Sequence, residues 1–298
     1  MSDKARAMIL ASFVADSLAL GVHWIYSTDR IARDFGRIEN YIKPGQGSYH
    51  PTKDKGDFTH YGDQAFVLLE SVSANKGFVL KDFVKRWQNL YEEYRGYLDQ
   101  ATRHTLANLE NGISPEDAGS SSNDIAGAAR IAPLIYFIRD DADALVKACR
   151  DQTAMTHRDS NTIDASEFFS LACLMVLEGK KPSKALKDLA TGYFAGSDIG
   201  TWVVAGLKSI EQGSIDAIKN FGQSCHTPEA FGGVVHLIAK YEDNLKEALI
   251  QSVMAGGDSA ARGMLVGMVL GAHLGMEAIP HQWIADMKKA RQVMILLE

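Results

Sequence analysis

The sequence predicts an all-α protein. Apolar residues recur at helical spacing along nearly the whole chain, no segment alternates with period two, and the seven prolines are spread thinly with no Ser/Gly/Pro-rich linker. With 298 residues, 46% apolar and 23% charged, the chain is long enough to bury a sizeable core, and one domain spanning residues 1–298 is expected.

The helical pattern runs over residues 7–23, 64–73, 80–94, 100–109, 124–137, 141–156, 163–177, 184–189, 199–210, 215–221, 227–241, 244–255 and 258–274. The first apolar run, 8–20, is interrupted by Asp16 and followed by no small-residue cleavage site, so it reads as a buried helix rather than a signal peptide. The run 264–274 contains His273 and falls short of the roughly 20 residues that span a bilayer. In that last segment Gly263, Gly267, Gly271 and Gly275 repeat every fourth position and so share one helix face. Each weakens a helix by about 1 kcal/mol relative to alanine, so the stripe predicts close approach of another backbone, with direct ligand contact as the other reading. Two stretches, 27–62 and 110–123, lack the pattern and are rich in Gly, Ser, Asp, Asn and aromatic residues; long irregular segments of this kind usually carry sites.

The net charge of -6 and scattered Lys and Arg leave no footprint for nucleic acid or an anionic membrane. Cys149, Cys173 and Cys225 are odd in number and widely spaced, indicating neither a disulfide framework nor a zinc site. A soluble protein of the reducing cytoplasm is expected.

Four clusters carry chemistry, each at a junction of loop and helix where free backbone N–H groups favour anions. Thr59 to Gln64 opens a helix, with Asp63 at or near an N-cap and His60 a candidate general acid or base. Gly256-Gly257-Asp258 opens the glycine-striped helix, with Arg262 one turn on as an ion-pair partner for Asp258. Asp63 and Asp258 are candidates to converge as paired carboxylates, gripping a divalent cation or acting on a glycosidic bond. The third cluster, Gly119 to Asp124, offers Ser122, Asn123 and Asp124 to phosphate or ribose oxygens, and Arg130 beyond it is either a phosphate clamp or a structural cation. In the fourth, His157 follows Thr156, and Cys225 and His226 precede a helix; adjacent residues seldom orient as a thiol and its base, so a cysteine hydrolase ranks low.

With these clusters in place, the order of motifs resembles the ADP-ribosylglycohydrolase family, which includes dinitrogenase reductase-activating glycohydrolase and the J1 crystallins. Ala15 to Gly21, with Asp16, resembles the family's Gly-Asp-Ala-Leu-Gly start, Arg130 to Leu134 its Met-Arg-Ile-Ala-Pro segment, Thr156-His157 its Thr-His turn, and Gly256 to Ser259 its closing Gly-Gly-Asp-Thr-Asp-Thr motif. The resemblance implies an all-α fold whose central cleft holds two magnesium ions through a Thr-Asp-Asp and an Asp-x-Asp-Thr motif. This chain has Tyr61-Gly62-Asp63 at the first and Asp258-Ser259-Ala260-Ala261 at the second, so acids are missing. The expected site therefore has Asp63, Asp258 and His60 in catalysis. Ser122, Asn123, Asp124, His157, Asp16, Cys225 and His226 hold the substrate, and Asp63 with Asp258 holds one magnesium ion or none. The expected activity is hydrolysis of an N- or O-glycosidic bond in an ADP-ribosyl or simpler ribosyl substrate. The alternative is a non-catalytic nucleotide binder or a structural, crystallin-like protein.

Overall fold

A computed structural model describes residues 2–298, and among them the regular structure is helical. The helices are α1 (Ser2–Ala19), α2 (Thr28–Phe35), α3 (His60–Asn75), α4 (Leu80–Glu92), α5 (Gln100–Glu110), α6 (Ala126–Ala129), α7 (Ala132–Ile138), α8 (Ala142–Ala154), α9 (Ser160–Leu177), α10 (Pro182–Thr191), α11 (Asp198–Lys208), α12 (Ser214–Phe221), α13 (Thr227–Lys240), α14 (Leu245–Met254), α15 (Ser259–Leu274), α16 (His281–Asp286) and α17 (Ala290–Leu296), with a 3-10 turn at Met276–Ala278. Two isolated bridges, Ser120 with His157 and Asp124 with His226, are the only β pairing among the described residues. No helix in this set is long and apolar enough to cross a membrane.

The all-α expectation holds, and the departures have local causes. The segment 124–137 is two helices, because Pro133, near the start of α7, has no N–H to continue the ladder from α6. Within the stretch expected to be irregular, α2 forms because the Ser27 hydroxyl accepts from the Arg30 N–H at 3.2 Å and Ile31 is buried. Its apolar face is a single pair one turn apart, Ile31 buried and Phe35 partly so, too short to mark a helix by periodicity. Beyond residue 274, α16 and α17 each bury a single residue, Trp283 and Val293, too little for a periodic signal.

Helix α15 is the axis. Every residue from Ser259 to Ala272 is buried, as an all-round apolar helix inside a globule requires. Its glycine stripe receives α1: a Cβ at Gly267 would lie 2.4 Å from the Ala11 carbonyl oxygen, and one at Gly271 2.6 Å from that of Ala7. The packing reading of the stripe is therefore the right one, with one amendment. Gly275 lies past the helix, where a φ of 80° serves as its C-cap. This close pairing sets α1, and with it Asp16, beside the start of α15.

Candidate active site

The N-terminal turns of α3 and α15 and the loop 119–125 meet at one place. Thr59, not Asp63, caps α3: its hydroxyl accepts from the Tyr61 N–H at 3.1 Å and donates to Asp16 Oδ1 at 2.5 Å, while the Thr59 N–H donates to Asp16 Oδ2 at 2.7 Å. Asp16 is fully buried, and burial, only partly offset by these bonds, lifts its carboxyl to about 7. It anchors the helix start and does not line a cleft, contrary to the substrate-binding role expected of it.

Starting α3 at His60 puts Tyr61 and Asp63 two positions apart and hence on different sides of the first turn. The Tyr61 hydroxyl lies 3.0 Å from Asp124 Oδ2 and 3.0 Å from Asp258 Oδ2. Asp63 instead accepts from the Lys53 ammonium and, at 2.7 Å, from the Tyr94 hydroxyl. The expected convergence of Asp63 with Asp258 is thus replaced by that of Asp124 with Asp258. Asp258 does cap α15, its Oδ1 accepting from the Ala261 N–H at 3.1 Å. Arg262 does not pair with it but clamps the carbonyls of Ser252 and Gly256, each at 2.6 Å. The turn before Asp258 needs its glycines for chain packing: at Gly257, with φ 65°, a Cβ would sit 2.0 Å from the Gln223 carbonyl oxygen.

One phenolic hydrogen cannot serve two carboxylates at once, so the second acid either carries its own proton or faces the phenol oxygen lone pair to lone pair. Burial pushes the Asp124 carboxyl well above the usual range, and the neighbouring Asp258 charge pushes it further. Asp258 is raised too, by burial, with the Ala261 N–H and the Tyr61 hydroxyl opposing. The pair therefore retains a proton where an isolated aspartate has lost it. The Cys225 thiol is raised by burial and by both acids, which keeps it protonated and removes it as a nucleophile.

A cleft of about 360 Å3 opens onto Asp124, lined among others by Trp24, Tyr97, Asp99, Asn123, Cys225 and His226. The loop 119–125 forms one wall, Ser122 included, pinned on both sides. Ser120 N–H donates to the Thr156 carbonyl at 3.0 Å, Ile125 N–H to that of Cys225 at 2.8 Å, and Thr227 N–H to that of Asn123 at 2.8 Å. Of the residues expected to bind substrate, Ser122, Asn123, Asp124, Cys225 and His226 line this cleft. His157 lies behind the wall, its Nδ1 2.8 Å from the Thr156 hydroxyl and its pKa lowered to about 3 by burial and the Arg130 charge. Arg130, 1% exposed, bonds Gln64 and Thr156, each at 2.5 Å, and is a structural cation rather than a phosphate clamp. His60 is buried beneath Trp24 and Tyr97, its Nδ1 3.1 Å from His50 Nε2 and its Nε2 3.4 Å from Asp99 Oδ2.

Sequence reasoning missed Trp24, Tyr97, Asp99 and Lys53. Asp99 had a signal: it directly precedes the predicted helix at Gln100 and caps α5, accepting from the Thr102 N–H at 2.6 Å. Burial alone would raise its carboxyl, but His60 beside it, His157 and the Thr102 N–H hold it below the ordinary range. Trp24 had none, since its φ of 65°, held by Trp24 N–H to Gly257 O and Gly257 N–H to Ile25 O, each at 2.9 Å, comes from the tertiary packing of the α15 turn.

The residues do not fit a pair of magnesium ions. Tyr61 presents its phenol between Asp124 and Asp258, Gly62 has no ligand and a Cβ there would meet Asp16 Oδ2 at 2.3 Å, and a lysine is seated on Asp63. Nor do Asp63 and Asp258 offer themselves jointly to one ion. Ligand atoms of Asp124, Cys225 and Asp258 lie within 4.8 Å of one another, but a thiol is a soft donor and poor for magnesium.

The sequence profile of the ADP-ribosylglycohydrolase family matches residues 1–298. Crystallin J1A of Tripedalia cystophora is 25% identical over 98% of this chain and 94% of its own length. ADP-ribosyl-[dinitrogen reductase] glycohydrolase of Rhodospirillum rubrum is 43% identical over 53 residues, which is 17% of this chain and 18% of that one. A solved structure described as an ADP-ribosylglycohydrolase-related protein complex superposes with a TM-score of 0.80 over 99% of this chain and 96% of its own, at 24% identity.

Proposed function

The chain belongs to the ADP-ribosylglycohydrolase family, and from that premise we propose that it hydrolyses the glycosidic bond of an ADP-ribosyl or ribosyl substrate with Asp124 as general acid and Asp99 as the ionised partner. The observation that carries the proposal is two carboxyls lining one cleft with their pKa values pushed in opposite directions, Asp124 up and Asp99 down. Such a division is how one site runs acid and base chemistry at the same pH. Asp124 gives its proton to the leaving oxygen or nitrogen as the bond to the anomeric carbon breaks. Asp99 stabilises the positive charge developing on the sugar and accepts a proton from the water that adds there. Asn123 and the hydroxyls of Ser121 and Ser122 hold the ribose hydroxyls, and His226 borders the leaving group. Asp258 is a positioning residue that acts through Asp124. The Asp63 and His60 roles expected from sequence pass to Asp99 and Asp124, because the latter two border the cleft.

The pH profile tests this. Turnover, measured as release of free ADP-ribose, is expected to fall on the alkaline side only well above the normal carboxylate range, as Asp124 loses its proton. It should fall on the acid side only below that range, as Asp99 gains one. Asp258→Asn keeps a cap-competent residue at the start of α15 but removes the neighbouring charge, so the alkaline limb is expected to move to lower pH. An alkaline limb that stays in place in this variant rejects the assignment.

A non-catalytic, ligand-binding role is the second reading, favoured by the Tyr61 phenol and Lys53 ammonium that occupy the acids. Calorimetric heat on adding ADP-ribose, with no product formed, would select it.

A further inference from the structure

The groups that turn away a pair of divalent ions also satisfy the acids those ions would have neutralised, and we propose that Lys53 is a built-in counter-cation replacing a bound divalent ion at the start of α3. Lys53 sits in the turn after His50, its N–H donating to the His50 carbonyl at 3.1 Å, and this turn carries its side chain onto the first turn of α3. There the ammonium meets Asp63 Oδ2 and lies 5.5 Å from the Tyr94 ring centre, while the Tyr94 hydroxyl takes the same carboxylate oxygen at 2.7 Å. The lysine side chain is 16% exposed and that of Asp63 8%. A lysine head group is compact and strongly hydrated, so stripping it of water against a nearly buried carboxylate is costly unless the pair is well made. On the other side of Asp63, Gly62 leaves room for the Asp16 carboxylate, which a larger residue would displace. Lys53 is thus the lysine that pairs with Asp63, while Asp16, whose carboxyl the Asp63 charge helps to raise, is held by Thr59 instead. As a positioning residue it fixes Asp63 and so the first turn of α3, which carries Tyr61 to Asp124 and Asp258. The inference stands whether or not the cleft hydrolyses its ligand, because it concerns what holds the acids together.

Manganese(II) titrated into the wild-type protein and followed by electron paramagnetic resonance is expected to remain the free aqueous ion, and EDTA to leave the thermal midpoint unchanged. Lys53→Met leaves Asp63 without its cation, so its midpoint is expected to drop by several degrees and to be raised again by manganese(II). Lys53→Met combined with Asp63→Asn should recover the midpoint and lose the manganese response. A solely structural lysine would give the drop without the metal response. Lys53→Arg, which keeps the charge, should behave as wild type and covers the case in which Lys53→Met fails to fold. Manganese bound by the wild-type protein, an unchanged midpoint in Lys53→Met, or equal manganese responses in the single and double variants would each overturn the proposal.

Discussion

Asp124→Asn is expected to lower kcat/KM about 10^2- to 10^4-fold, the usual worth of a positioned general acid, while making the protein more stable at neutral pH. Both effects have one cause. The Asp124 carboxyl is raised in the folded state by burial and by Asp258, whereas in the unfolded chain it titrates as an ordinary aspartate. Above the unfolded pKa the unfolded chain gives up this proton and the folded one keeps it, so folding is opposed increasingly as pH rises toward the folded value. The amide removes that opposition, still accepts the Ala126 N–H now bonded to Oδ1 at 2.8 Å, and can donate to Tyr61 or Asp258. The gain in midpoint should therefore vanish below about pH 4, where the carboxyl is protonated in both states. Parallel melting curves and initial rates at several pH values test both effects; unchanged kcat/KM would remove Asp124 from the mechanism.

Gly267→Val is expected to destabilise the fold by about 3 kcal/mol or to prevent folding, a large share of the roughly 5–15 kcal/mol that holds a domain together. A Cβ at this position meets the backbone of α1, 2.4 Å from the Ala11 carbonyl oxygen and 3.2 Å from the Ser12 nitrogen, where no side chain can rotate away to make room. Helix α1 would have to lift off α15, carrying Asp16 from beneath Thr59. Gly263→Ala is the control, since its Cβ would lie 3.4 Å from that of Ala15, an ordinary contact, and the helix gains about 1 kcal/mol from losing a glycine. Urea unfolding of the two variants should therefore move the midpoint in opposite directions; equal behaviour would mean that the stripe is not a close-packed seam.

The parts of the site that could be read in advance are those coded over a few neighbouring residues. Asp258 followed by a helical pattern reads as a cap, and it is one. Ser122, Asn123 and Asp124 read as a polar turn ahead of a helix, and that turn walls the cleft. Asp63 misled for the same reason: a local reading makes it a cap, but Thr59, four residues earlier, takes that place once Asp16 of α1 fixes it. The cap moved by one turn, and Tyr61 rather than Asp63 came to face the back of the site.

By itself the sequence determined most of the helices, a close-packed face along the glycines of α15 and the polar loops, because periodicity and capping act within a turn or two of chain; that α1 is the helix on that face came from the fold. Tertiary structure alone decided which acids meet. Tyr61 reaches Asp124 across 63 positions and Asp258 across 197, and no local pattern records such distances. Nor does any local signal bring Asp99 into the same cleft as Asp124 or Lys53 onto Asp63. Those encounters follow from how α1, α3 and α15 pack, and the protonation of Asp99, Asp124 and Asp258 is set there, by burial and by the charge of neighbours distant in sequence.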